Sequence, residues 1–199
     1  MRTRTRRGGL ALVAVAMCLG GCLGGTSVPT RFYTLVPVAT ASSGGPARAG
    51  LTLGIGPVTI PGYLDRPQIV TRLGPEELSV ADFDRWSEPL REGVSRTLAD
   101  NLATLMGTDR ISSFPWAKPP AGQVQIVVDV TRFEGVGGTM VILGARWRIL
   151  GSDGSERVVR QASITEAMSA QGYNALVAAM SRALGTLSQQ IAAAVHQLG

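Results

Sequence analysis

Histidine, lysine and cysteine are almost missing from this chain of 199 residues, which holds one His, one Lys and two Cys. The single histidine, His196, stands three residues from the end of the sequence, so neither a zinc-binding His cluster nor a Ser-His-Asp relay has the residues it needs. Aromatics are scarce at 5%. Hydrophobic runs long enough to cross a bilayer are missing too, since the longest, Leu10–Leu19, falls far short of the roughly 20 residues a membrane core demands. Disorder is excluded from the other side: 45% hydrophobic against 17% charged residues is the composition of a folded chain. One or two domains is the expectation for this length.

What charge there is points one way, with 19 basic groups against 14 acidic and a net of +5. Its placement decides its meaning. Arg2, Arg4, Arg6 and Arg7 sit in the first seven residues, directly before the apolar run, which is the layout of an export signal. Leu19-Gly20-Gly21-Cys22 then has the form of a bacterial lipobox, implying thioether attachment of diacylglycerol at Cys22, cleavage before it and acylation of the new amine. Cys18 fits less well, because Met17 puts a bulky side chain where cleavage wants a small one. A twin-arginine outline at Arg6-Arg7 is weak. Leu23 after the cysteine, in place of the aspartate of an inner-membrane retention signal, favours the periplasmic face of the outer membrane.

Cleavage leaves 178 residues, and taking the four leader arginines from the 19 basic groups leaves 15 against 14 acidic, a net of about +1. That is no footprint for a phosphate backbone, so nucleic acid is set aside. With Cys22 acylated, no disulfide staples the domain. The expected organisation is a leader over 1–21, a flexible lipidated tether over 22–30, and one periplasmic domain over 31–199.

Within that domain, Arg31 to Val36 reads as a strand and Ala39 to Gly50 as a small-residue loop. Leu51 to Ile60 and Gln68 to Leu73 read as strands joined through Pro61-Gly62, a hairpin with a stiffened tip, with a short edge strand near Glu77 to Val80. Leu90, Val94, Leu98, Leu102 and Leu105 form one face of a helix, with Ser87 as N-cap and Gly107 as C-cap. A short strand is expected at Arg110 to Phe114. Val124, Ile126, Val128 and Val130, then Val141, Leu143, Ala145, Trp147 and Ile149, alternate with polar neighbours on either side of a glycine turn. A third strand over Glu156 to Ala167 completes a meander. Leu176, Val177, Met180, Leu184, Leu187, Ile191 and Val195 mark a long terminal helix. The fold class is therefore α+β (mixed α/β): a mixed, largely antiparallel β-sheet with two long amphipathic helices packed on it.

Candidate chemistry is thin. Gly54-Ile-Gly-Pro-Val-Thr lacks the third glycine and the following helix of a dinucleotide fingerprint, and Gly135-Val-Gly-Gly is a hairpin turn. Asp82 and Asp84 read as a solvated approach to the helix, not as a catalytic pair. No cofactor is expected beyond the lipid on Cys22. Tyr63 and Leu64, by contrast, put large apolar groups at a turn beside Asp65 and Arg66, and Trp86 sits between charges at a helix entry; such residues either anchor a partner or pack inward, Tyr63 and Leu64 onto the sheet edge and Trp86 onto the core.

Arg31-Phe-Tyr-Thr-Leu, then Gly-Ile-Gly-Pro-Val-Thr-Ile-Pro-Gly-Tyr-Leu-Asp-Arg-Pro-Gln-Ile-Val-Thr-Arg over 54–72, then Arg85-Trp-Ser-Glu-Pro-Leu, following a lipobox, resemble the ABC-type transport auxiliary lipoproteins, the PqiC/YmbA-like proteins. The resemblance implies a non-enzymatic outer-membrane lipoprotein that works with a mammalian-cell-entry (MCE) domain protein and its permease or ABC transporter in lipid traffic between membranes. Association with further copies of itself stays open. On that reading Tyr63, Leu64, Asp65, Arg66 and Trp86 shape the partner-binding surface, and Ser at 63 and 64 would weaken capture while leaving folding intact. The competing reading is a stand-alone lipoprotein that binds a lipid or other amphiphile between the sheet and the terminal helix.

Overall fold

The computed structural model describes residues 28–40, 51–116 and 124–198, so Cys22, the leader and most of the tether lie outside the described residues. The strand that begins at Val124 continues to Val136, making β6 (Val124–Val136) the longest of the eight strands among the described residues. It turns into β7 (Met140–Leu150) through Gly137 and Gly138, both at positive φ, the backbone of a tight hairpin that a side chain would strain. β8 (Glu156–Ala167) pairs antiparallel with β7, and the expected meander forms. One irregularity divides β6. Val130 faces Ala145 and Arg132 faces Gly144, so Thr131 is an extra residue. The extra residue inverts the alternation: even positions enter the core before it, and Phe133 enters after it.

The other edge of β6 is shared by two strands. β2 (Leu53–Thr59) runs parallel to residues 124–129, and β3 (Gln68–Arg72) runs parallel to Gly135 and Val136. The expected hairpin of 51–60 with 68–73 is therefore corrected: both strands advance in one direction along β6, and 60–67 is an excursion between them. β3 instead forms its hairpin with β4 (Leu78–Trp86), which runs nine residues where a short edge strand was expected. β1 (Arg31–Tyr33) adds parallel to β4 at the margin of the sheet, and β5 (Ile111–Ser113) lies parallel to β2. The sheet is mixed, and its two longest pairings are the antiparallel ones of the meander.

Helix α1 (Leu90–Met106) buries Leu90, Val94, Leu98 and Leu102, each worth roughly 1.5–3 kcal/mol of burial. It starts later than the sequence suggests. Trp86 ends β4, Ser87 gives its N–H to the Tyr33 carbonyl, and the N-cap is Pro89, with no side-chain cap. Gly107 closes the helix as expected, left-handed, donating its N–H to Ala103. Helix α2 (Tyr173–Gln197) packs on β6, β7, β8 and α1, with its whole apolar stripe from Leu176 to Val195 buried. No stretch of that stripe is left for an amphiphile.

The chain after β1 crosses these helices as a strap. Val36 N–H donates to Ser181 Oγ on α2, and Val38 and Ala39 N–H donate to Asn101 Oδ1 on α1, at 3.2, 3.0 and 2.9 Å. Asn101 is fully buried, and those two amides satisfy its side-chain oxygen. At Gly56, φ is +115° and an added Cβ would stand 2.7 Å from Phe114 Cβ, so backbone strain and overlap coincide. Gly56→Ala is expected to cost about 2–4 kcal/mol, read as a lowered urea midpoint. A change within error would show that β2 and the segment 111–114 separate freely.

Candidate functional site

The residues singled out at the 61–67 turn and at the helix entry come together. Pro61 and Gly62 start the turn, with Leu64 N–H donating to the Pro61 carbonyl at 2.9 Å and Arg66 N–H to the Leu64 carbonyl at 2.9 Å. Trp86 N–H then donates to the Pro67 carbonyl at 2.7 Å, tying the end of β4 to the end of the turn. Arg91, one residue into α1, pairs with Asp65 across the same junction. The result is a cleft of about 350 Å³ lined by Asp65, Arg66, Pro67, Trp86, Ser87, Glu88 and Pro89.

Its chemistry is that of a docking surface. Asp65, Arg66 and Pro67 form an exposed rim, and Trp86, 7% exposed, is its floor. Glu88 is held from behind by Arg96, whose Nη2 also donates to the Leu35 carbonyl, so the strap and the cleft share one guanidinium. Three of the five residues expected to meet a partner thus line one concavity.

The remaining two face elsewhere, and here the expectation is corrected. Leu64 is 2% exposed and belongs to the core, so Ser at this position removes packing and does not simply change a surface. Tyr63 is partly buried against the same core, and its hydroxyl donates to Glu134. The turn places both inward because the excursion from β2 to β3 must cover the second half of β6.

Beneath that cover lies a charged centre that no motif in the sequence marks. Glu134, fully buried on β6, accepts from Tyr63 Oη, Arg72 Nε and Arg132 Nε. Burial pushes its pKa up, but the three hydrogen bonds and the Arg72 charge outweigh burial and hold it below the usual carboxylate range. The Tyr63 hydroxyl, buried and bonded to a carboxylate, is pushed up to about 12. A second such group is Asp84, expected to be solvated yet buried in β4. Arg31 grips it with Nε at 2.7 Å and Nη2 at 2.9 Å, and Tyr33 Oη donates at 2.7 Å. Burial raises the Asp84 pKa, and these partners bring the net value below its ordinary one. Its neighbour Asp82 stays exposed. The only available signal for either centre is an acid in a strand pattern with basic and Tyr residues elsewhere, and no spacing connects them.

Elsewhere, residues 54–59 are strand, with no phosphate-cradling loop, and Gly137-Gly138 is the turn expected. Among the described residues no group of three or more His, Cys, Asp or Glu side chains could hold a metal, and no helix is long and apolar enough to cross a membrane. His196 lies in the last turn of α2. Cys22, the lipidation candidate, is outside the described residues.

Comparison with known proteins agrees with this architecture. A solved structure of an uncharacterised protein superposes with a TM-score of 0.71 at 19% identity, over 84% of this chain and 99% of the other. A Xanthomonas campestris protein of the DUF330 family gives 0.67 at 18% identity, over 81% of this chain and 92% of the other. These likenesses show the fold. By sequence, the chain is 25% identical over 185 residues to the intermembrane transport lipoprotein PqiC of Escherichia coli K12, spanning 92% of this chain and 93% of that protein, and equally so to PqiC of Shigella flexneri. The model of the ABC-type transport auxiliary lipoprotein component family matches residues 33–192, and the chain belongs to that family.

Proposed function

We propose that this protein is an outer-membrane lipoprotein, acylated at Cys22 and facing the periplasm, that serves as a non-enzymatic auxiliary component of an intermembrane lipid transport system. In this reading the domain over 31–199, held by the tether over 22–30, receives an MCE-domain protein, itself linked to a permease or ABC transporter. The cleft between the 65–67 rim and the 86–89 helix entry is the receiving surface. The observation that carries the reading is the convergence, over a buried Trp86, of two segments whose sequence resembles the family, in a chain whose relatives are named intermembrane transport lipoproteins. Trp floors with charged rims are the usual anatomy of protein-binding hot spots. The stand-alone carrier reading loses its proposed site, because the α2 stripe is packed.

Affinity purification of the tagged, acylated protein from crosslinked membranes tests this reading. Recovery of an MCE-domain protein is expected; recovery of the lipoprotein alone, with that partner detectable in the extract, would overturn it. The surface is tested by Asp65→Arg with Arg66→Glu. Both side chains are exposed, and the Asp65–Arg91 pair contributes at most about 1 kcal/mol, so folding should hold. Capture should fall about tenfold or more through mismatched charge at the rim. Undiminished capture by the reversed pair would move the contact to another face.

A further inference from the structure

The margin of the sheet nearest the tether carries an apolar patch that the proposed partner surface does not use. In the β1–β4 register, Arg31 stands opposite Asp84, Phe32 opposite Arg85 and Tyr33 opposite Trp86. Arg31, Tyr33, Asp84 and Trp86 share the inward face, joined through the Asp84 hydrogen bonds. Phe32 and Arg85 share the opposite face, and Phe83, two residues before Arg85 where β4 shifts register against β3, is exposed beside them. Phe32 is 66% exposed and Phe83 is 42% exposed. Between them Arg85 has no acidic partner among the described residues, and its Nε is buried without a hydrogen-bond acceptor. Two exposed rings flanking an unpaired guanidinium match a phospholipid surface, where rings settle at the acyl boundary and a cation meets headgroup phosphate.

The position of the patch along the chain identifies its occupant. Phe32 is ten residues after Cys22, a stretch whose covalent geometry limits it to about 35 Å. A domain of this size is about 40 Å across, so even the extended tether cannot put the β1 margin on the far side from the anchor. We propose that the outer face of the β1–β4 margin, formed by Phe32, Phe83 and Arg85, seats on the phospholipid surface that holds the Cys22 acyl chains. This inference rests on the reading of Cys22 as the acylation site. Two rings would bind a bilayer only marginally by themselves, but the anchor makes the contact intramolecular, at an effective concentration in the millimolar range, so weak binding suffices to keep it occupied. The consequence is a fixed orientation of the domain relative to the membrane.

Hydroxyl-radical footprinting tests this directly. The acylated chain is reconstituted into vesicles of phosphatidylethanolamine and phosphatidylglycerol and compared with the Cys22→Ala chain free in buffer. Phe114, 49% exposed and following β5 at the opposite end of the sheet order, is the internal reference. Labelling of Phe32 and Phe83 relative to Phe114 should drop about fivefold on vesicles, as for an intramolecular contact mostly closed. The mass of the N-terminal peptide from the same sample reports acylation. An acylated chain with unchanged Phe32 and Phe83 labelling overturns the seating alone; an unmodified Cys22 overturns the lipidation reading and the seating with it. Protection of both rings in the unacylated chain, growing with protein concentration, would assign the patch to a second copy and also overturn the proposal.

Discussion

Glu134→Gln is expected to destabilise the domain by about 3 kcal/mol, because it removes the negative charge from a buried site that Arg72 and Arg132 still enter. The pH dependence follows from the same geometry. The folded-state pKa of Glu134 lies below its ordinary value, so in the acid range the unfolded chain binds more protons than the folded one. The stabilisation is therefore fully present above the ordinary carboxylate range and is lost as pH falls through the folded-state value. Urea midpoints of the wild type should decline steeply on acidification, with Asp84 adding a contribution of the same sign, while the Glu134→Gln midpoint should start lower and decline less. A double-mutant cycle with Arg72→Met isolates the pair: the double variant should lose less than the sum of the single losses, since neither charge is then left alone. Strict additivity would mean that Arg72 and Glu134 do not interact energetically, and a flat acid profile in the wild type would remove Glu134 from the account of stability.

Leu64→Ser is expected to cost about 3–5 kcal/mol, combining the cavity left by a core leucine with the burial of a hydroxyl. Set against a typical total stability of about 5–15 kcal/mol, that is a large part of the whole. Arg66→Ser, two residues on and exposed, should stay within about 0.5 kcal/mol. The comparison matters for function, since loss of partner capture by Leu64→Ser would report unfolding and not a lost contact. Chemical denaturation of the two variants side by side separates these causes. Equal midpoints for Leu64→Ser and the wild type would show that the 61–67 turn opens and presents Leu64 to solvent.

Elements governed by neighbours a few residues apart are legible in the sequence by itself. The period of two places β7, the expected third strand of the meander is β8 over the very span Glu156–Ala167, and the four-three spacing places both helices. Gly107 and Gly137-Gly138 are legible because positive φ leaves so few residue types to choose from. The lipobox and the motifs at 54–72 and 85–90 bring the family into view, and they also point to Asp65, Arg66 and Trp86, which the fold gathers around one cleft.

Partner choice between distant strands is not legible in that way. Residues 51–60 and 68–73 have the spacing of a hairpin, and only β6, long enough to take both along one edge, makes them parallel neighbours instead. The same pairing turns Leu64 inward and drops Tyr63 onto Glu134, while β1, arriving from some fifty residues away, converts Asp84 from a solvated acid into a buried ion pair. Local backbone preference and side-chain period are written in consecutive residues. Burial and electrostatic pairing depend on which surfaces meet, and in this chain long-range strand register settles that.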